Sequence, residues 1–194
     1  MESSQNHTAT DAALVAATLT DKERFGELVV RYEDRLRRYI RRLGVRDEDD
    51  QLDVLQEIFL KVYRNLRSFD PSLSFSSWIY RIAHNEAVSW YRRRNVRPEG
   101  HQIADGEEVL QFVAAHEDSA EWKFDRTLNA TVLQKALERL EPKYRDVLVL
   151  RYFEHKEYTE ISDILQLPVG SVGTLIHRGK QHLARAINPD SVRT

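Results

Sequence analysis

The side chains best suited to bind nucleic acid lie together in residues 76–94, where the periodicity predicts one helix. At about 100° per residue, one side of this helix carries an aromatic ring, an amide, a hydroxyl group and guanidinium groups. These side chains belong to Trp78, Arg81, Asn85, Ser89 and Arg92. An aromatic ring beside arginines can stack on an unpaired base while the arginines bind phosphates. A core tryptophan near a solvated basic helix end explains the same pattern, so both interpretations stay open.

A second candidate for nucleic-acid binding lies near the C-terminus. Residues 158–165 and about 171–187 read as helices separated by the break 167–170, and a basic helix after such a break is the helix-turn-helix pattern. Polar side chains of the last helix can bind base edges or phosphates in a major groove. They are Thr174, His177, Arg178 and Gln181. Many helical hairpins are only structural, so this pattern does not decide the function by itself.

The predicted helix after the acidic cluster 47–50 carries charges of the wrong sign for DNA. Its apolar stripe consists of Leu52, Leu55, Phe59, Val62 and Leu66. Opposite the stripe lie Asp53, Gln56, Glu57 and Lys61. These polar side chains can dock on a basic protein surface, although the periodicity alone favours charges that simply face solvent.

Nothing in the sequence indicates catalysis or metal binding. The absence of cysteine excludes thiolate ligands, thiol nucleophiles and disulfides. The seven histidines form no H-E-x-x-H pair, and there is no glycine-rich phosphate loop. His177 and His182 are five residues apart, off a common ligand face. We therefore predict a protein that is not an enzyme and that needs no cofactor or metal.

Helical periodicity dominates the chain, and glycine and proline are scarce, at 7 and 5 residues. Residues 25–43 carry one apolar stripe that Gly44 ends, and Pro71 predicts a turn over residues 68–72. We predict an all-α fold of two small helical domains, an N-terminal helical bundle and a C-terminal helix-turn-helix, joined by an acidic flexible linker.

The charge distribution marks the boundaries of these domains. Residues 1–97 hold 17 Lys/Arg and 15 Asp/Glu, residues 98–125 hold 1 and 8, and residues 126–194 hold 11 and 8. Two mildly basic blocks therefore flank an acidic segment, which is usually a solvated linker and can also mimic a nucleic acid. We predict a polar N-terminal segment (1–21), a first domain (22–94), the linker (95–127), a second domain (128–187) and a tail (188–194).

The location of the protein follows from what the chain lacks. No apolar run approaches the roughly 20 residues that span a bilayer. Residues 1–11 lack the basic and apolar regions of a signal peptide. With no cysteine, this composition predicts a cytoplasmic protein without membrane insertion.

Three segments together resemble the extracytoplasmic-function sigma factors of bacterial RNA polymerase. Residues 53–59, with Lys61 and Tyr63, are similar to the family's polymerase-binding region. Residues 69–85 are similar to its promoter-melting region, and residues 158–184 to its helix-turn-helix. The matches keep the family's order and spacing over about residues 22–94 and 128–187, which makes them far more specific than a lone helix-turn-helix.

The resemblance implies partners and roles. The partners are promoter DNA and core RNA polymerase, bound at the flap and at the clamp helices of the largest subunit, and such proteins are often held by an anti-sigma factor. Polymerase contacts fall on Leu52, Asp53, Gln56 and Glu57. The −10 contacts fall on Ser68, Phe69, Asp70, Ser72, Ser74, Trp78, Arg81, Asn85 and Arg92, with a flipped base in the loop 68–74. The −35 contacts fall on Arg178 and Lys180, helped by Thr174 and His177, while the linker threads toward the RNA exit path.

One departure and one alternative remain. Relatives usually carry basic or polar residues where this chain has Gly173 and Leu175, so we expect weaker base reading and more dependence on DNA shape. The alternative is a helix-turn-helix regulator that acts as a dimer without binding polymerase. Such a regulator protects a palindrome unaided, whereas a monomeric sigma factor binds promoters poorly without core enzyme.

Overall fold

The computed structural model describes residues 9–94 and 130–187, and within these ranges it contains helices and no strand. The predicted all-α fold is confirmed there. The predicted linker and C-terminal tail lie outside the described residues. Contacts divide the chain into two units, of which the first contains residues 9–41 and 45–90 and the second contains residues 130–187.

The first unit is built from α1 (Asp11–Thr20), α2 (Phe25–Arg42), α3 (Glu48–Asn65) and α4 (Phe75–Arg94). Short 3₁₀ turns, Lys22–Arg24 and Leu66–Ser68, precede α2 and follow α3. The core side of α2 follows the predicted stripe, with Leu28, Tyr32, Leu36, Tyr39 and Ile40 buried. Edge-on aromatic contacts join α2 to α4, with ring centroids 5.6 Å apart for Tyr32 and Phe75 and 5.1 Å apart for Tyr39 and Tyr80.

The turn from α2 to α3 is fixed by its backbone. Gly44 has a φ of +116°, a conformation that side chains disfavour, so glycine ends α2 as predicted. Asp47 then caps α3, because its carboxylate accepts hydrogen bonds from the backbone amides of Asp49 and Asp50. The buried amide of Gln51 donates to the carbonyls of residues 45 and 46, both at 3.0 Å.

The predicted apolar stripe of α3 is wrong at one position. Leu52 is 52% exposed, while the neighbouring core positions Gln51, Val54 and Leu55 are buried. The stripe therefore lies to one side of Leu52, which belongs to the solvent-facing surface. The side chain of Lys61 is 49% exposed, and its ammonium pairs with the buried carboxylate of Glu86 on α4.

Helix α1 lies in the segment that we expected to be a polar lead-in. Leu14, Val15 and Thr18 are buried, and the hydroxyl of Thr10 caps the helix by accepting from the amide of Ala13 at 3.2 Å. The carboxylate of Asp11 accepts a hydrogen bond from Arg31 at 2.8 Å and another from the hydroxyl of Tyr32. These bonds attach α1 to α2.

The second unit consists of α5 (Ala130–Glu138), α6 (Pro142–Tyr152), α7 (Tyr158–Leu165) and α8 (Val169–Ile187). Helix α8 packs against the other three. Pro142 occupies the start of α6, where its missing amide proton costs nothing. Glu157 and Glu160 form a capping box on α7, and α8 begins at Val169.

Gly179 gives α8 its close approach to α6. A Cβ atom at this position would lie 3.2 Å from the side chain of Leu148 and 3.3 Å from the carbonyl oxygen of Tyr144. Glycine at this position therefore lets the two helix backbones lie close together. Next to it, the rings of Tyr144 and His182 stack with centroids 4.7 Å apart.

Candidate nucleic-acid interface

The loop between α3 and α4 is a preformed turn. The carboxylate of Asp70 accepts a hydrogen bond from the amide of Ser72 at 2.9 Å, and its carbonyl accepts from the amide of Leu73 at 3.0 Å. The bond from the backbone of Ser72 lowers the pKa of the Asp70 carboxyl. Ser74 then caps α4 by accepting from the amide of Ser77 at 3.2 Å. The exposed loop residues thus lie on a fixed backbone.

An aromatic cluster supports this loop from below. Phe69 is only 8% exposed, and its ring centroid lies 5.4 Å from that of Phe75 and 5.2 Å from that of Trp78. Trp78 itself is half-buried. One part of the ring packs in the cluster and another part reaches solvent, so the geometry is compatible with both sequence interpretations of Trp78. Phe69 is placed to shape the loop rather than to present an open stacking face.

Beyond Trp78, α4 carries the predicted polar stripe along one side. Arg81 is half-buried, and Asn85 and Arg92 are exposed. The helix ends in exposed arginines at positions 92–94, preceded by Tyr91, which is 53% exposed and was not singled out from the sequence. The loop is therefore followed along α4 by a partly exposed ring, an amide and several cations. Aromatic and basic side chains in such a row suit the binding of a single nucleic-acid strand.

The exposed side of α3 mixes apolar and acidic groups. Asp53, Gln56 and Glu57 are exposed, as is Leu52. Leu60 and Tyr63 lie on the same side and are 37% and 40% exposed. Of these two, sequence reasoning missed Leu60. An acidic surface with exposed apolar side chains suits a protein partner with basic groups and repels DNA phosphates.

Helix α8 divides its circumference between packing and solvent. Val172, Leu175, Ile176, Gly179 and Leu183 are buried. His177, Arg178 and Gln181 are exposed, and Ser171 and Thr174 are half-buried on the same side. The side-chain amide nitrogen of Gln181 lies 3.0 Å from Nε2 of His177, which joins these two side chains. This polar side, preceded by the shorter α7, has the arrangement of a recognition helix.

Both halves of the chain match models of one protein family. Residues 28–97 match Sigma-70 region 2, and residues 130–183 match Sigma-70, region 4. The chain is 36% identical over 174 residues to the ECF RNA polymerase sigma factor SigW of Bacillus subtilis (strain 168), which covers 86% of this chain and 90% of the relative. The chain belongs to the extracytoplasmic-function sigma factors. It directs RNA polymerase to promoters, and the dimeric regulator is not favoured.

Solved structures share the fold of this sigma factor. CnrH, solved in complex with the cytosolic domain of CnrY, superposes with a TM-score of 0.67 at 24% identity and covers 93% of this chain and 98% of that one. RpoE of Bartonella quintana, solved with the anti-sigma factor NepR, gives 0.62 at 20% identity over 86% and 98%. These similarities establish the arrangement of helices within the fold class.

The two family departures in region 4 of this sigma factor have different structural meanings. Leu175 is 8% exposed, so it belongs to the core and removes no side chain from the DNA-facing surface. Gly173 leaves a gap that Tyr158 borders, since a Cβ atom there would lie 3.5 Å from the tyrosine ring. Tyr158 is 40% exposed, with the guanidinium of Arg151 5.3 Å from its ring centroid.

Two cations of α8 differ from the sequence expectation. Lys180 is half-buried, and two residues along a helix turn it about 200° away from Arg178, so these side chains do not share a face. Arg185, seven residues after Arg178, lies on the same side and is exposed. The seven-residue spacing was visible in the sequence and identifies Arg185 as the missed cation.

Residues 9–94 and 130–187 of the sigma factor contain neither a cluster of metal ligands nor a helix suited to span a membrane. No three His, Cys, Asp or Glu side chains come together there as a metal ion would need. Among these residues, no helix combines the length and apolarity that crossing a membrane requires.

Proposed function

We propose that this sigma factor works in the cytoplasm as a monomer, catalyses no reaction itself, and divides its contacts among three surfaces. The exposed side of α3 binds core polymerase, the loop 68–74 with α4 binds the melted −10 element, and the polar side of α8 binds the −35 duplex. The observation that carries the proposal is the fixed loop of Asp70, which leads directly into the aromatic and basic stripe of α4.

The polymerase contact rests on the chemistry of α3. We propose that Leu52, Asp53, Gln56 and Glu57 contact the clamp helices of the largest subunit, while region 4 contacts the flap. Exposure of all four side chains supports this assignment. We expect Asp53→Ala combined with Glu57→Ala to lower affinity for core polymerase by tenfold or more, because charge pairs at interfaces contribute about 1–3 kcal/mol.

A matched control separates this contact from a general loss of negative charge. Glu23→Ala combined with Asp34→Ala removes two exposed carboxylates from the same unit, away from α3. We expect this pair to bind core polymerase as the unaltered chain does. If the Asp53 and Glu57 double variant binds core polymerase as tightly as the unaltered chain in the same titration, the clamp assignment is wrong.

The −10 contact combines the loop with α4. We propose that the loop that contains Ser68, Asp70, Ser72 and Ser74 holds a flipped base of the non-template strand. Trp78, Arg81, Asn85 and Arg92 follow the strand toward the upstream edge of the bubble, and the buried Phe69 supports the loop. Flipping costs least where the duplex is already opening, which suits a loop that needs no rearrangement to receive a base.

The −35 contact rests on the polar side of α8. We propose that Ser171, Thr174, His177, Arg178 and Gln181 face the duplex, with Lys180 at its margin. We expect Arg178→Ala to weaken holoenzyme binding to a −35 duplex and to reduce the salt slope by about one unit. Lys135→Ala, an exposed cation on α5, is the matched control. Unchanged affinity and slope in Arg178→Ala would contradict the placement.

Regulation and the linker complete the proposal. CnrH was solved with a cytosolic domain of CnrY, and RpoE with the anti-sigma factor NepR. We propose that an anti-sigma factor likewise binds this chain and competes with polymerase. The acidic linker 95–127 lies outside the described residues, and its threading toward the RNA exit path stays a prediction from the family resemblance.

One experiment tests the whole proposal. Core polymerase with the purified chain is supplied with a genomic fragment library, and the 5′ ends of new transcripts are mapped. We expect discrete start sites that share two upstream elements and depend on the added chain. A chain that starts no transcript with core enzyme, and that forms a dimer protecting duplex DNA alone, would support the regulator instead.

A further inference from the structure

A cavity of about 310 Å³ lies between α1 and the loop before α4. Ala12, Val15 and Leu19 line it from α1, and Phe69, Leu73 and Phe75 line it from the loop side. Helix α1 also touches the 3₁₀ turn that leads into this loop. The segment expected to be a polar lead-in therefore forms one wall of a site whose other wall is the proposed −10 loop.

The polar groups of this cavity are few and well placed. Asp11 and Ser74 lie among mostly apolar neighbours. Arg31 and the hydroxyl of Tyr32 each donate to a different oxygen of the Asp11 carboxylate, which fixes its orientation. A carboxylate can accept about four hydrogen bonds, so two acceptor positions remain. The side chain is 30% exposed, which leaves it accessible to a ligand.

This combination matches one kind of ligand. Apolar walls suit the faces of a planar heterocycle, and a fixed acceptor at the wall suits a donor on its edge. Cytosine, adenine and guanine carry an exocyclic amino group that donates to a carboxylate. Thymine carries carbonyl oxygens on both sides of its single N–H, and these repel a carboxylate.

We propose that this cavity receives the flipped base, that α1 is its second wall, and that Asp11 determines which base is accepted. The side chain selects a base with an exocyclic amino group and rejects thymine. The inference rests on the proposed role of the loop 68–74 in −10 binding and adds a specificity-determining residue to it.

The test uses holoenzyme reconstituted from core polymerase and the full chain. Fork-junction DNA carries each of the four bases, or an abasic site, at each unpaired −10 position in turn, and affinity is measured by competition. At one position we expect thymine to bind about tenfold more weakly than cytosine, adenine or guanine, because one specific polar contact gives about that discrimination. An abasic site there should bind more weakly still.

Two variants separate base selection from a merely structural role of Asp11. Asp11→Asn keeps the size and gains an N–H that can donate to thymine, so we expect its preference among the bases to shrink to within about twofold. Ala12→Leu fills the cavity, so all four bases should fall to the affinity of the abasic site. Asp21→Asn, at the C-terminal end of α1, should leave the base preference unchanged.

The outcomes distinguish the two proposals. If Asp11→Asn keeps the full discrimination against thymine, or weakens all four bases equally, Asp11 does not select the base and the inference fails. If the unaltered holoenzyme shows no base preference and no abasic effect at any −10 position, the proposed function of the loop fails first.

Discussion

At Gly179, one added methyl group should change the stability of the second unit. We expect Gly179→Ala to lower the free energy of unfolding of the second unit by about 1–3 kcal/mol. The new Cβ atom would meet a backbone oxygen and the buried side chain of Leu148, neither of which can move away easily. This strain exceeds the helix-propensity gain of up to about 1 kcal/mol.

Gly170 provides the matched comparison, since nothing lies within 4 Å of a Cβ atom there. Gly170→Ala should leave stability unchanged or raise it slightly. Amide hydrogen exchange in α6 and α8 measures both variants in the full chain. If the amides of α6 and α8 are as well protected in Gly179→Ala as in the unaltered chain, the added methyl group causes no loss of stability and the prediction is wrong.

The Asp70 turn gives a second prediction at this scale, one that depends on pH. The pKa of Asp70 in the folded protein lies below the ordinary pKa of an aspartate. The ionised carboxylate therefore stabilises the turn fully at pH values above that ordinary pKa. The contribution is lost as the pH falls through the lowered pKa. We expect the amide proton of Ser72 to keep its hydrogen-bonded NMR shift from pH 7 to about pH 4.

Substitutions check the same turn at neutral pH. Asp70→Asn retains a side-chain acceptor and should keep the shift of the Ser72 amide proton, whereas Asp70→Ala should lose it. If Asp70→Ala keeps the shift, the carboxylate does not organise the loop.

Sequence reasoning found most of the exposed site residues and misjudged those whose role depends on packing. Asn85, Arg92 and His177 are exposed on the predicted sides of their helices. Phe69 and Leu175 are buried, because neighbouring rings and helices cover them. A helical wheel places a residue around its own axis and contains no information about what packs against it.

At the scale of elements, the N-terminal cap of α3 affects the proposed polymerase surface. We expect Asp47→Ala to lower the stability of the first unit by about 1 kcal/mol, because two backbone amides lose their acceptor. Fraying of this end also loosens Leu52 and Asp53, so affinity for core polymerase should fall. Thermal unfolding and polymerase titration measure the two effects.

The conservative variant is the control for this cap. Asp47→Ser restores an acceptor without the charge and should recover most of the stability. Should Asp47→Ala bind polymerase normally while its first turn exchanges amides faster, the start of α3 would lie outside the contact.

Helix boundaries were predictable where a strong stripe or a special residue defined them. Helices α2, α3 and α4 follow their apolar residues, and Gly44 ends α2 with a left-handed backbone. Helix α1 was missed because alanine and threonine give its sequence little contrast between faces. Its buried side and its bonds from Asp11 to α2 are tertiary features, which periodicity does not reveal.

At the scale of the molecule, the two units should respond to mutation separately. Ile58 and Leu148 are buried in the first and second unit, respectively. We expect Ile58→Ala and Leu148→Ala each to cost about 2–5 kcal/mol in their own unit. Each should leave hydrogen exchange in the other unit unchanged. Loss of protection in both units from either variant would show that they unfold together.

The division of the chain into two helical regions could be predicted because charge, periodicity and motif order agreed on it. The family models match residues 28–97 and 130–183, one in each half of the chain. The cavity beside α1 could not be predicted, since its walls come from segments about 60 residues apart in the sequence.

Helix α8 carries its buried residues and the residues proposed to contact DNA on separate sides. Close packing against α6 at Gly179 opposes rotation of α8 about its own axis. Thr174, His177 and Gln181 can therefore be randomised as a set on an intact scaffold. Region 4 is therefore a suitable scaffold for engineered sigma factors that recognise synthetic promoters and leave natural promoters unbound.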